Sequence, residues 1–490
     1  MAVIGAGAEL LFAFLLALAL PGPALAEGGK IALSSCRLRG GVQARCGTLD
    51  VPEDRQHPEG RHLKLRVAVV PALARAPKPD PLFLLAGGPG TAATEVLAGL
   101  VPQAFEKVHR SRDVVLVDQR GTGGSNPLKC ELVARDAPLA EKLSDQDFPA
   151  AKLRACLAGY AADPRLYGTS IAMQDLDEVR AALGYAQIDL WGGSYGTRAA
   201  LVYLREHGQN VRTVVLDGVA PTTMRLPLHF AEDAQRSIGL LFQSCAAEPA
   251  CAKAWPDLPA RFDKLIARLG ESPVKTTISD PLTGAPAQVT ITRDLVTGVI
   301  RGVLYQPQQA ALVPLVIGRA EAGDYGPLVA LGVGWGEAVG EAMSLGMMLS
   351  VLCSEDVPRF GEAELQAKTQ GTFLGARIIQ GFRGACQVWP RGEVAADFGE
   401  PVRSDKPVLL LSGELDPVTP PVWAEEAAKT LPNSARFTAP GVGHGVSTVG
   451  CAPRLIAEFI ESASTKSLDG SCLQKQKRPP FFASFAGPTP

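Results

Sequence analysis

The segment that most narrows what this chain can fold into is Gly192-Gly193-Ser194-Tyr195-Gly196. An apolar run at 188–191 precedes it and a helical stretch at 197–206 follows. A serine held between glycines at a strand-to-helix junction sits on a turn too sharp for side chains two positions to either side. Its backbone is strained, its hydroxyl is pushed outward, and the helix behind it directs a favourable potential at developing negative charge. Ser194 is therefore the candidate nucleophile. Ala342-Met343-Ser344-Leu345-Gly346 has a similar form but lies in a Met-rich helical pattern with no strand before it, and reads as core packing.

Short apolar runs bounded by Gly, Pro and Asp recur at 63–70, 82–85, 114–117, 188–191, 214–216 and 408–411, with helical patterns at 172–183 and 197–206 between them. Strand and helix in alternation predict an α/β architecture around a mostly parallel sheet. The rhythm stops after Asp217-Gly218, and about 180 residues pass before the next strand, far more than an ordinary connection. Helical patterns at 230–245, 260–269, 295–303 and 337–352 mark this stretch as an inserted, largely helical unit, with a Pro/Thr-rich passage near 272–286.

A serine hydroxyl needs a base, normally a histidine oriented by a carboxylate. Architectures that present serine on such an elbow supply the acid and then the base further along the chain. Of the six histidines only His229 and His444 lie downstream. His229 stands at the start of the insertion, whereas His444 occupies the flexible Gly441-Val442-Gly443-His444-Gly445 and is the candidate base. The acid belongs in the loop after the 408–411 strand, where Asp416 fits better than Glu414 because it lies in the loop proper. For the oxyanion, the backbone amide of Tyr195 is one expected donor and that of Gly88, in the glycine-rich loop after the 82–85 strand, the other. Gly88-Pro89-Gly90-Thr91-Ala92-Ala93 with Asp118 also satisfies a dinucleotide fingerprint, but Pro89 lacks the amide that a pyrophosphate would want.

Forty-eight basic residues against fifty acidic ones leave no cationic surplus for a nucleic-acid partner. Ten cysteines, none in a Cys-x-x-Cys pair and with no histidine spaced for zinc, point to five disulfides, paired between sequence neighbours, in an oxidising compartment. The apolar run from Leu10 to Leu20, closed by Pro21 and Pro23 and followed by Ala24-Leu25-Ala26, reads as an export signal at 1–26, although no Lys or Arg precedes it. Residues 475–490 read as a solvated tail.

Taken together, Cys46-Gly47-Thr48-Leu49-Asp50-Val51-Pro52, Gly87-Gly88-Pro89-Gly90, Asp118-Gln119-Arg120-Gly121-Thr122-Gly123, the Ser194 pentapeptide, Gly413-Glu414-Leu415-Asp416-Pro417-Val418-Thr419-Pro420 and Gly443-His444-Gly445 resemble the prolyl and tripeptidyl aminopeptidase group of serine peptidases, with its TAP-like C-terminal region. The resemblance implies the α/β-hydrolase fold, a mostly parallel sheet flanked by helices, with a large helical cap inserted after the sixth core strand. It divides the chain into a signal peptide at 1–26, core at 27–220, cap at 221–400, core again at 401–472 and a flexible tail at 473–490. It implies hydrolysis of peptides from a free N-terminus, with Ser194, Asp416 and His444 as the triad. In Cys353-Ser354-Glu355-Asp356, it makes Glu355 and then Asp356 candidates for holding the substrate's ammonium group. Ala86 stands where proline-releasing relatives commonly have His, so a proline preference does not follow. No metal or organic cofactor is implied. The expected partner is a peptide with a free N-terminus, with neither nucleic acid nor, after signal cleavage, a membrane. The chain is expected to act as a secreted or periplasmic monomer. An esterase or lactonase with the same triad and no amine pocket is the alternative.

Overall fold

The computed structural model describes residues 31–144 and 148–488. Nine strands form one sheet in the order β1 (Ser34–Arg37), β2 (Gln43–Pro52), β3 (His62–Val70), β5 (Val114–Val117), β4 (Leu82–Leu85), β6 (Ile188–Gly193), β7 (Val211–Asp217), β10 (Val408–Gly413) and β11 (Ser434–Ala439). Pairing is parallel from β5 through to β11 and antiparallel among β1, β2, β3 and β5. The central strands β4, β5 and β10 are buried throughout, which is why they stand out in sequence as unbroken apolar runs.

β1, β2 and β11 alternate or mix polar and apolar residues, as positions at or next to the sheet's edges allow, and no apolar run announces them. With β1 and β2 counted, the insertion follows the seventh strand along the chain, β7, rather than the sixth. Apolar side chains fill both faces of the sheet. The Thr169–Ala182 and Tyr195–His207 helices cover one face; the Ala452–Ser462 helix and the short helices after β4 cover the other.

The insertion carries the expected helices Phe230–Ala247, Leu258–Glu271 and Arg293–Val303, but three details differ. The Pro/Thr-rich passage is a hairpin of β8 (Val274–Ser279) and β9 (Pro286–Ile291), whose period-two burial turns Val289 and Ile291 inward. The single helix expected at 337–352 breaks between Gly326–Ala342 and Leu345–Val351. At the break Met343 bridges to Thr91, and the Ser344 amide donates to the Gly90 carbonyl at 2.8 Å. Ser344 is thus a junction residue against the core rather than part of a helical packing face. Finally, Cys130, Leu139, Leu143 and Leu153, which precede the expected cap boundary, belong to the cap's apolar cluster.

The segment expected as a flexible tail is docked. Phe481 is fully buried in the cap cluster, its amide donates to Glu248, and the Phe482 amide donates to the Ala311 carbonyl at 3.1 Å. The carbonyl of Phe482 accepts from the Trp255 indole at 3.0 Å. A polar, Pro-rich composition hid one aromatic anchor, and that anchor decides the matter.

The ten cysteines pair as sequence neighbours: Cys36–Cys46, Cys130–Cys156, Cys245–Cys251, Cys353–Cys386 and Cys451–Cys472. No helix among the described residues is long and apolar enough to cross a membrane. The expected signal segment 1–26 lies outside the described residues.

Candidate active site

The turn from β6 into the Tyr195–His207 helix holds Ser194 at φ 56°, ψ −126°, a region side-chain-bearing residues rarely occupy. Close approach explains the flanking glycines. A Cβ on Gly192 would lie 2.2 Å from the Gly196 carbonyl oxygen, and one on Gly196 would lie 2.1 Å from that of Leu85. The Ser194 amide is held by the Asp217 carbonyl at 2.9 Å, tying the elbow to the end of β7.

Asp416 and His444 come together from the loops after β10 and β11. His444 Nδ1 donates to Asp416 Oδ2 at 2.7 Å, and Asp416 also accepts from the amides of Val418 and Thr419 and from the Thr419 hydroxyl, each at 2.9 Å. Asp416 is wholly buried, which would push its pKa up. The His444 charge and hydrogen bond and the two amides outweigh that and hold it below the usual carboxylate value. His444 moves the other way. Burial lowers it, but the charge and hydrogen bond of Asp416 prevail and raise it.

The Asp217-Gly218 corner touches both Ser194 and His444. Asp217 supports the elbow from its carbonyl, and a Cβ on Gly218 would lie 3.2 Å from His444 Cε1. The hydroxyl of Ser194 and Nε2 of His444 are not hydrogen-bonded to each other in this structure, a looseness common before substrate is bound. The carboxylate of Asp217 fixes the His444 loop from behind. It accepts from the amides of Val446 and Ser447 and from the Ser447 hydroxyl, at 2.8, 2.8 and 2.6 Å. The Ser447 oxygen in turn accepts from the Trp191 indole on β6 at 2.9 Å. Asp217 escaped sequence reasoning because its partners Val446 and Ser447 are far away along the chain.

The glycine-rich loop after β4 packs against the serine: a Cβ on Gly87 would lie 2.9 Å from that of Ser194. The amides of Gly88, in this loop, and of Tyr195, in the first turn of its helix, have no hydrogen-bond acceptor among the described residues. Asp118 accepts from the Thr94 amide and hydroxyl and from the Gly124 amide, so it braces this loop and offers no oxygen to a ribose.

Glu355 and Asp356 lie in a π-helical turn, Leu352–Asp356, and both are buried. Glu355 accepts from the Thr169 amide at 2.6 Å and hydroxyl at 2.8 Å, and burial pushes it up to about 7. Asp356 accepts from Arg198, on the elbow helix, at 2.7 Å and from Arg359 at 2.9 Å. Both carboxylates expected to hold an ammonium group are thus already engaged within the protein, where they lash the cap to the core. Sequence position alone could not reveal these partners.

The cap reaches the His444 loop through Tyr305. The Tyr305 carbonyl accepts from the His444 amide at 2.9 Å, and its ring stands edge-on to the imidazole with centroids 5.1 Å apart.

A serine raised on a strand-to-helix elbow, with a histidine–carboxylate pair on loops beyond neighbouring strands of a largely parallel sheet, is the arrangement of an α/β hydrolase. Residues 80–325 match the family described as alpha/beta hydrolase fold, and 372–472 match the one described as TAP-like protein. The chain belongs to the α/β-hydrolase family, with a C-terminal region similar to the TAP-like proteins. Carboxylesterase B of Mycobacterium tuberculosis is 29% identical over 421 residues, spanning 79% of this chain and 78% of that one. Serine protease Hip1 of the same species is 25% identical over 466 residues, spanning 88% and 87%. Tripeptidyl aminopeptidase of Streptomyces coelicolor is 29% identical over 191 residues, spanning 36% and 35%.

Proposed function

We propose that this hydrolase is an exported serine peptidase that releases residues from the free N-terminus of peptides. The observation that carries the serine mechanism is the 2.7 Å bond between His444 and a buried, ionised Asp416, beside a serine held in elbow geometry. In this reading Nε2 of His444 takes the proton of Ser194 as its oxygen attacks the scissile carbonyl. The Gly88 and Tyr195 amides receive the oxyanion, and His444 returns the proton to the departing amine. Water, activated by the same imidazole, then cleaves the acyl-enzyme. Five disulfides support an oxidising destination.

Two measurements test this reading. An aryl phosphonate should label wild type and not Ser194→Ala. A peptide with a free N-terminus should be cleaved faster than its N-acetylated form. Equal rates on the two peptides favour the esterase or lactonase alternative, which the engaged state of Glu355 and Asp356 also supports.

A further inference from the structure

Arg301, on the Arg293–Val303 helix of the cap, is a guanidinium beside the candidate base with no carboxylate partner among the described residues. Its plane lies over the Phe230 ring at 4.3 Å and near that of Tyr305 at 5.6 Å, and Nη2 donates to the Tyr305 hydroxyl at 3.3 Å. Nε is buried with no hydrogen-bond partner among the described residues. Its charge lies close enough to His444 to oppose protonation of that ring. Asp416 makes no direct ion pair with it among the described residues; its oxygens accept from His444, Thr419 and Val418 instead. Most other half-buried arginines here have a carboxylate: Arg55 bonds Asp175 and Glu178, Arg225 bonds Glu364, and Arg261 bonds Glu321.

A guanidinium held on two aromatic faces, with a buried donor unused, is pre-organised for an anion. Its position says which half of the substrate brings that anion. The base hands its proton to the leaving group, so side chains flanking His444 face the departing half. Tyr305 flanks His444 directly, and Arg301 is stacked on Tyr305.

We propose that Arg301 is a specificity-determining residue that binds a carboxylate on the leaving group, which selects substrates whose departing piece is short and ends in a carboxylate, such as one amino acid or a dipeptide. The inference rests on the serine-hydrolase reading above but not on whether the scissile bond is an amide or an ester.

The test compares acetate esters of 4-hydroxybenzoate and of 4-hydroxybenzamide, and peptides ending in alanine or in alaninamide, on wild type, Arg301→Lys and Arg301→Met. A charge-assisted contact predicts that wild type favours the carboxylate by about ten- to a hundredfold in kcat/KM, mainly through KM. The preference should shrink in the lysine variant and fall to near one in the methionine variant, with melting temperatures showing both to be folded. Two results overturn the proposal: no carboxylate preference in wild type, or a preference that Arg301→Met leaves intact while both rates drop, as loss of an aromatic brace alone would produce. If wild type turns over neither ester and Ser194 resists the phosphonate, the serine-hydrolase reading itself falls, and this inference falls with it.

Discussion

The amide of His444 donates to the carbonyl of Tyr305 at 2.9 Å, so the candidate base, which belongs to the core, hangs from the cap. Gly443 makes this possible, because a Cβ there would lie 2.4 Å from the same carbonyl oxygen. The neighbour is backbone and cannot swing aside. Gly443→Ala should therefore displace either the loop or the cap. We expect kcat/KM to fall by about a hundredfold, as misplacing a reacting group by ~1 Å does. Stability should fall by about 1–3 kcal/mol, the usual range for forced overpacking. Steady-state kinetics and urea unfolding on one preparation check both.

The raised pKa of His444 sets a pH limit. The imidazole acts as base only when neutral, so activity is lost as pH falls through its folded-state value. The acid limb of kcat/KM should lie above ~6.5, the ordinary imidazole value. Asp416→Asn removes the main raising influences while burial remains, so the limb should move below that value as turnover drops by about 10⁴. The pH dependence of phosphonate labelling reads the limb even at that low turnover. A limb that stays put would separate the observed titration from His444.

Asp356 is buried between Arg198 and Arg359. Asp356→Asn leaves two guanidinium groups facing a neutral amide, and should cost about 3–5 kcal/mol, the typical effect of breaking a buried pair. A substrate-amine ligand would behave differently, with KM rising and the unfolding midpoint unchanged. Chemical denaturation alongside peptide kinetics tells the two roles apart.

Phe481 anchors the C-terminal segment in the cap. Phe481→Ala should lower stability by about 3–5 kcal/mol through the cavity it leaves, whereas a solvated tail would register almost nothing. Limited proteolysis should then cut beyond Lys475 in the variant and spare that segment in wild type.

Much of the architecture could be read from local pattern. The buried strands β4, β5 and β10 carry unbroken apolar runs, and β6 and β7 shorter ones, because both faces of the sheet are covered. The elbow glycines announce a backbone crossing that nothing larger permits. β1, β2 and β11 were not legible, since strands at or next to the sheet's edges are only partly buried and mix polar with apolar residues. The break at Met343-Ser344 was equally silent, because it answers to the Gly90 carbonyl about 250 residues away.

By itself, then, the sequence determined the chemistry it could carry and the sheet on which it would be carried. Strand burial and elbow geometry are enforced within a few residues. Only the tertiary structure decided that Asp217 braces the His444 loop, that Glu355 and Asp356 bind the cap to the core, and that Arg301 stands beside the base without a carboxylate bonded to it among the described residues. Each of those depends on which charges and amides a long insertion brings into contact, and hydrogen bonds between distant segments leave no periodic trace along a chain.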